Sequence, residues 1–419
     1  MKTALLFPPQ WYPSQPYLAL PTLKAHLESK GHEVDQFDFN IESYEIFLSR
    51  GYLDHCVETV QKRLSLPAYT SEEQEVKAVY RDILSDKAFL DSILNEVEDA
   101  KNVLRDEERF FQFETYKKAY TTLKMAMKLI SYAHYPSRLD LDSFFMLGNP
   151  EENLSGILSA TADPIRNPFI RMYEDYLLGN VAWEDYGLVG LSIIHIGQVI
   201  PGLTLARILR QRFDHLHIVI GGSVFNRHAD LLDNKQALFE EFFHSVIVSE
   251  GEKPLAELVT HLKTGKSLAT VPNLIYMDGE NGKGEKGIVH NPKVEALPYE
   301  QLVCPTFDQL PLKKYLMPYP VLPYMSSRGC YWGKCTFCTH SFIYDSYYRK
   351  ANEARVAEEL DHLTQKYKTK YFTFSDEAIS PNAFNRMSRE ILKRGVEIRS
   401  LGMLKFESGD KESPELFED

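Results

Sequence analysis

Arg328-Gly329-Cys330-Tyr331-Trp332-Gly333-Lys334-Cys335-Thr336-Phe337-Cys338 places three of the chain's five cysteines within nine residues, directly after the short strand-like run from Tyr324 to Ser327. An odd number of cysteines makes a poor disulfide framework, and the tight cluster points to metal chemistry in a reducing compartment. Three thiolates on one loop can hold three irons of a 4Fe-4S cubane and leave the fourth without a protein ligand. An iron left open in this way can chelate a small molecule. The same thiols could instead form a structural zinc site with His340 as fourth ligand, although such sites more often use paired Cys-x2-Cys knuckles well apart in sequence. Cys56 and Cys304 stand away from the loop and read as packing residues.

Downstream of the cysteines, helix and strand patterns alternate. Ala354 to Lys366 reads as a helix, Tyr371 to Ser375 as a strand, Ala383 to Arg394 as a helix and Ile398 to Leu404 as a strand. With the strand before the cysteines, this is the pattern of the first half of a βα barrel, over residues 324–419. The final Ser413-Pro414-Glu415-Leu416 reads as a helix start, so the barrel is either cut short or completed in another way. Asp376 and Glu377 end the second strand, and C-terminal strand ends of a barrel face its active site. A carboxylate there would pair with an ammonium, or else serve as a solvated loop acid or a helix N-terminal charge before Pro381. Ser400, Lys405 and Glu407 lie along or just past the third strand and are weaker candidates.

Upstream, seven prolines between Pro292 and Pro323 break any regular element and suggest a linker running over a surface. A hairpin is expected before it, from Leu274–Met277 and Ile288–His290 around the glycine-rich turn of residues 279–287. Together they make a hairpin and linker unit over 276–323. Residues 1–48 and 181–275 carry the signature of a doubly wound, Rossmann-like parallel sheet with helices on both faces. Strands are expected at Lys2 to Phe7, Glu33 to Phe39, Gly187 to Ile194, His217 to Gly221 and Phe242 to Val248, with helices around Leu20–Leu27, Leu203–Phe213 and Pro254–Leu262. Their continuous apolar runs suit strands buried on both faces. Residues 49–180 interrupt this domain with apolar stripes at helical spacing, such as Leu90, Ile93, Leu94 and Val97, and Leu123, Met127 and Ile130. They read as a helical insertion, either a packing cap or a substrate lid.

The chain has 419 residues, 44% of them hydrophobic and 25% charged, with a formal net charge of -12. That acidity argues against a general nucleic-acid binder, because phosphate contacts need clustered Lys and Arg. No apolar run is long enough for a membrane span, and no signal peptide is evident, so the cytoplasm is the expected location.

The cysteine loop resembles that of the radical S-adenosylmethionine family, whose members carry Cys-x3-Cys-x-aromatic-Cys after the first barrel strand. Phe337 matches the aromatic position. The spacing departs from the pattern, because four residues separate Cys330 from Cys335, and Gly333 gives the longer loop an unusual backbone option. The resemblance implies Cys330, Cys335 and Cys338 as cluster ligands, with S-adenosylmethionine bound at the open iron and cleaved to a 5'-deoxyadenosyl radical that abstracts hydrogen from substrate. It further implies Phe337 against the cofactor and Asp376 or Glu377 toward its amino group, though the glycines of the family's motif are absent there. An external electron donor of the flavodoxin or ferredoxin type would serve the cluster.

The α/β domain upstream resembles the cobalamin-binding domain of cobalamin-dependent members of that family. The resemblance rests on Phe7-Pro8-Pro9, Asp38-Phe39-Asn40, Gly190-Leu191-Ser192, Ile220-Gly221-Gly222-Ser223 and Glu250-Gly251-Glu252. It implies that Pro8, Pro9, Ser192, Gly221, Gly222, Ser223, Glu250 and Gly251 contact the cofactor, small residues at strand ends letting a corrin or its tail approach the backbone. The Asp-x-His-x-x-Gly motif is absent, so no histidine of that motif ligates cobalt. His195 follows a strand and could approach a corrin, but lone loop histidines are commonly just polar residues. A generic nucleotide-binding sheet is the alternative for this domain. For the whole chain, the resemblance implies a methyltransferase acting on an unactivated carbon of a small molecule or peptide-derived metabolite. The alternatives are a radical enzyme catalysing rearrangement, cyclisation or sulfur chemistry, and a zinc-stabilised binding protein without catalysis.

Overall fold

The computed structural model describes residues 1–68, 71–281, 285–338 and 347–405. Its organising element is strand β1 (Lys2–Phe7), buried on both faces. Side chains alternate across a strand, so Ala4 and Leu6 enter one core while Leu5 and Phe7 enter another on the opposite face. Each such fully buried leucine contributes about 1.5–3 kcal/mol relative to exposure.

Around β1 stand β2 (Val34–Asp38), β3 (Tyr186–Ser192), β4 (His217–Gly221), β5 (Ser245–Ile247), β6 (Leu274–Asn281) and β7 (Glu285–His290), in the order β2-β1-β3-β4-β5-β6-β7. The first five strands are parallel and β6 and β7 add an antiparallel edge. The expected Rossmann-like parallel sheet is thus present, and the expected hairpin forms its edge. Strand order reverses between β1 and β3, the switch point at which open α/β sheets bind ligands beyond their carboxyl ends.

The helices Arg50–Ser65, Ser71–Ser85, Lys87–Arg105 and Phe113–Ala133 realise the expected helical block. Asp86 caps the third of them by accepting from the Phe89 amide at 2.9 Å. Cys56, Val60, Ile93, Val97, Leu123 and Met127 join the core that holds Ala4 and Leu6. The block therefore covers one face of the sheet, and Cys56 is the packing residue its sequence context suggested.

The proline-rich stretch is no surface linker. Phe307, Tyr315 and Leu316 are buried, and its polar groups strap the molecule together: Gln36 donates to the Thr306 and Asp308 carbonyls at 2.9 and 2.8 Å, and the Tyr315 hydroxyl donates to Asp38 at 2.6 Å. Burial pushes the Asp38 carboxyl up to about 6, against the pull of that hydroxyl. Prolines remove backbone donors without preventing burial of the side chains between them, which is why periodicity missed this segment.

A second sheet follows, made of β8 (Val321–Tyr324), β11 (Tyr371–Phe374) and β12 (Arg399–Leu401), all parallel. The small antiparallel pair β9 (Ser327–Arg328) and β10 (Arg349–Lys350) lies between β8 and β11 in sequence. The helices Glu353–Tyr367 and Pro381–Arg394 connect the parallel strands, the second with Ser380 as N-cap and Gly395 in the left-handed conformation after its end. No helix among the described residues is long and apolar enough to cross a membrane.

Candidate functional site

The C-terminal ends of strands from both sheets open onto one cavity of about 450 Å³, within the usual range for small-molecule sites. Leu5, Ser192, Gly221 and Ile247 bring β1, β3, β4 and β5 to it, Pro323, Met325, Ser375 and Glu377 bring the second sheet, and Arg328 brings β9. Among the described residues, none of the helical block lines it, and the block packs against one face of the first sheet.

The wall formed by the first sheet is small and mainly backbone. Ser192, Gly221, Gly222, Ser223, Glu250 and Gly251, the residues that the resemblance implies as cofactor contacts, all line the cavity. Gly222 has φ +106°, and a Cβ there would collide with the Ile193 backbone; only glycine fits. Gly221 is different, because a Cβ built on it meets nothing nearer than the Ile247 carbonyl oxygen at 3.8 Å. A side chain there would take up open space. The Ser223 hydroxyl donates to the Ile194 carbonyl at 2.6 Å, which ties this turn to the end of β3.

Pro8 and Pro9 do not line the cavity. Both are buried, and the Pro8 carbonyl accepts from the Gln198 side chain at 2.7 Å. Their role is to turn the chain out of β1. The aromatic residues that follow were not weighed as site residues, yet Trp11 and Tyr17 line the cavity. The Tyr17 ring stacks on Phe7 with centroids 4.9 Å apart, and Trp11 meets Tyr17 edge-on at 6.2 Å. Burial, reinforced by the Glu377 carboxylate, pushes the Tyr17 phenol up to about 12. His195 lies beside Trp11 at 5.7 Å, and its Nδ1 accepts from the Gly197 amide at 3.2 Å; it caps a helical turn and is not part of the cavity lining.

The two acids at the end of β11 have separate fates. Asp376 is 1% exposed and accepts from the Ser326 amide at 2.9 Å, the Ser326 hydroxyl at 2.7 Å and the Ser327 hydroxyl at 2.5 Å. Burial raises its pKa while these donors pull it down. It binds the strand that leads into the cysteines and leaves the cavity to its neighbour. Glu377 lines the cavity, and its carboxyl is pushed up to about 7 by burial, with Asp376 adding to the shift.

Arg328, also unweighed in the sequence, sits at the junction of the sheets. Its guanidinium donates to Glu250, and to Glu252 at 2.5 Å. Arg349 donates to the other oxygen of Glu250. Burial works against both partners, yet the ion pair prevails: Arg328 is raised, and Glu252 is held below the usual carboxylate range. Glu250 therefore spends its carboxylate on two arginines.

Cys330, Cys335 and Cys338 follow Arg328 directly. Cys335 is exposed and the other two are partly buried. The Cys338 amide donates to the Cys335 carbonyl at 3.1 Å, and Gly329 and Gly333 take left-handed conformations at φ +78° and +57°. At Gly329 a Cβ would collide with the Tyr347 carbonyl. The donor set suits an iron-sulfur cluster in chemistry, with one residue more between Cys330 and Cys335 than the resembled pattern has, but no group of three or more His, Cys, Asp or Glu side chains is drawn together as a metal site among the described residues. The three thiols therefore do not share a formed cage in this structure. Phe337 is 88% exposed and does not reach the cavity. His340 and Glu407 lie outside the described residues. Ser400 is exposed on β12, and the Lys405 ammonium lies 3.4 Å from the centroid of the Trp332 ring, so neither lines the cavity.

No protein-family model matches the sequence, and no curated protein matches it either. Solved structures do resemble it. The cobalamin-dependent S-adenosylmethionine radical enzyme OxsB, solved with aqua-cobalamin and S-adenosylmethionine bound, superposes with a TM-score of 0.50 at 14% identity, over 96% of this chain and 38% of that one. The radical S-adenosylmethionine methyltransferase TsrM from Kitasatospora setae, solved with cobalamin and a [4Fe-4S] cluster, gives a TM-score of 0.44 at 15% identity, over 94% of this chain and 51% of that one. The chain thus shares the overall mixed α/β fold of OxsB and spans about two fifths of its length.

Proposed function

We propose that this chain is a cobalamin-dependent radical S-adenosylmethionine enzyme that transfers a methyl group to an unactivated carbon of a small molecule or peptide-derived metabolite. The observation that carries the reading is the single cavity fed by both sheets, with a glycine-serine wall from the first and Glu377 from the second, beside a loop of three cysteines. The shared fold with OxsB supports it.

In this reading Cys330, Cys335 and Cys338 hold a 4Fe-4S cluster. Gly221, Gly222, Ser223 and Ser192 offer close backbone approach to a corrin tail. When bound, the cluster supplies the electron that cleaves S-adenosylmethionine and cobalamin carries the methyl group. The chain's own residues bind, orient and exclude water. Glu377 holds a cationic group by its carboxylate, Tyr17 and Trp11 keep that side of the cavity apolar, and Asp376 fixes the strand leading to the cysteines through Ser326 and Ser327. Holding reactants together in the right orientation is worth much of the barrier in such reactions. A flavodoxin or ferredoxin type donor would reach the loop at its exposed Cys335 side.

Anaerobic reconstitution followed by iron, sulfide and corrinoid analysis tests the cofactors. A brown protein with a corrinoid spectrum that forms 5'-deoxyadenosine is expected; a colourless zinc protein would refute the reading. Labelled methyl in the product separates methyl transfer from rearrangement or cyclisation.

A further inference from the structure

The cysteines lie in sequence between Arg328 and Arg349, and these two residues face each other in the β9–β10 pair. Their guanidiniums converge on one carboxylate, Arg328 on one oxygen of Glu250 and Arg349 on the other. Glu250 belongs to neither strand, since it follows β5 of the first sheet. Glu252, at the start of the helix Glu252–Thr264, takes the second arm of Arg328 at 2.5 Å.

All four side chains are withdrawn from solvent, at 12% and 16% exposure for Arg328 and Arg349 and 11% and 5% for Glu250 and Glu252. A buried ion-pair network of this kind adds little net stability, because desolvation offsets the attraction. Its better-attested use is to fix register, and removing one partner strands a buried charge. Among the described residues, these two positive and two negative groups meet only when the base of the cysteine loop sits against the end of β5. An arginine fork engaging two carboxylates also sets orientation in a way a point charge does not.

We propose that Glu250 is a positioning residue that clasps the neck of the cysteine loop from the other sheet, so that the first sheet sets where the three thiols stand. The proposal rests on the reading of those thiols as cluster ligands. It assigns Glu250 a role different from direct cofactor contact, and makes Arg328 and Arg349 its partners.

Glu250→Gln keeps the shape and removes the charge. In metal-free protein, hydrogen exchange at Ser327, Arg328, Arg349 and Lys350 is expected to speed up by at least about tenfold, with β1, β3 and β4 unchanged. In reconstituted protein, iron retention is expected to fall at least threefold, and the reduced cluster's electron paramagnetic resonance signal to lose its shift on adding S-adenosylmethionine. Unchanged exchange at the neck would overturn the clasp. Faster exchange with unaltered iron retention and spectrum would reduce it to a structural brace and overturn the positioning role. Absence of iron in the wild type would refute the cluster reading instead, while the exchange measurement still decides the clasp. Arg349→Gln, which releases one of the two grips, gives the same readouts should Glu250→Gln not be recovered folded.

Discussion

The two parallel sheets aim their carboxyl ends at one cavity, yet they are built to different standards of closure. In the first, β1, β3 and β4 are covered on both faces, and Leu6, Val189 and Ile218 are wholly buried. In the second, β8 and β11 are covered but β12 is exposed along its length, with Leu401 at 72% and nearby Met403 at 64% exposure. The closed sheet contributes glycines and serines to the cavity, whereas the open one contributes Pro323, Ser375 and Glu377 at or just past its strand ends. In the proposed reading, rigid packing and reactive chemistry fall to separate sheets that meet at the Arg328–Glu250 junction. Damage to the cysteine loop should then leave corrinoid binding at the first sheet intact. Cys335→Ala should abolish iron incorporation and S-adenosylmethionine cleavage, because a cubane held by three thiolates rarely survives the loss of one. Corrinoid binding should persist in the same sample; its parallel loss, seen in the visible spectrum, would break the division.

The contrast in closure can be measured directly. Leu6→Ala opens a cavity in a core closed on all sides and should cost about 2–5 kcal/mol in urea unfolding. Leu401→Ala removes a side chain already in water and should change stability by less than about 0.5 kcal/mol. Comparable losses at both positions would mean that β12 is covered in solution.

The same difference explains what could be read from sequence. Strands β1, β3 and β4 were legible to within a residue or two because burial on both faces forces continuous apolar runs, and the helix after Ser380 because Pro381 and Gly395 punctuate it. The glycines and serines now seen in the cavity wall were picked out through the family resemblance, since small residues at parallel strand ends also suit a generic nucleotide-binding sheet. What failed was partner assignment. Asp376 and Glu377 are adjacent and chemically alike, and nothing local tells that one is consumed by Ser326 and Ser327, which follow the strand paired with its own. The serine pair just before Arg328 was the available signal. Arg328 and Glu250 are 78 residues apart, with no periodicity to connect them, so the clasp emerges only in three dimensions. Phe337 matched a motif position, but a motif fixes spacing and not the direction of a side chain.

The open space at Gly221 offers a finer probe of the closed sheet's wall. Gly221→Val should weaken corrinoid binding by about tenfold or more, equivalent to about 1.4 kcal/mol, by filling the cavity, while the unfolding midpoint stays near wild type because no packed atom is displaced. A drop in the midpoint without loss of binding would show that the side chain turns into the sheet instead.

A further expected effect on binding lies on the other wall and concerns Glu377 alone. Its carboxyl is pushed up to about 7, so folding favours the protonated form. The associated stability is present below the ordinary carboxylate range and is lost as pH rises through about 7. A cationic ligand needs the opposite state. Between pH 6 and pH 8 the ionised fraction climbs from roughly a tenth to roughly nine tenths, so affinity for a ligand bearing an ammonium should tighten by about ninefold over that interval. Titration calorimetry with S-adenosylmethionine at the two pH values measures this, and Glu377→Gln should flatten the dependence at the weaker end. Tyr17 cannot mimic the effect, since its phenol stays protonated throughout that range with a pKa of about 12. A pH dependence that survives Glu377→Gln would therefore move the cation away from this acid and leave the wall of the second sheet without its assigned contact.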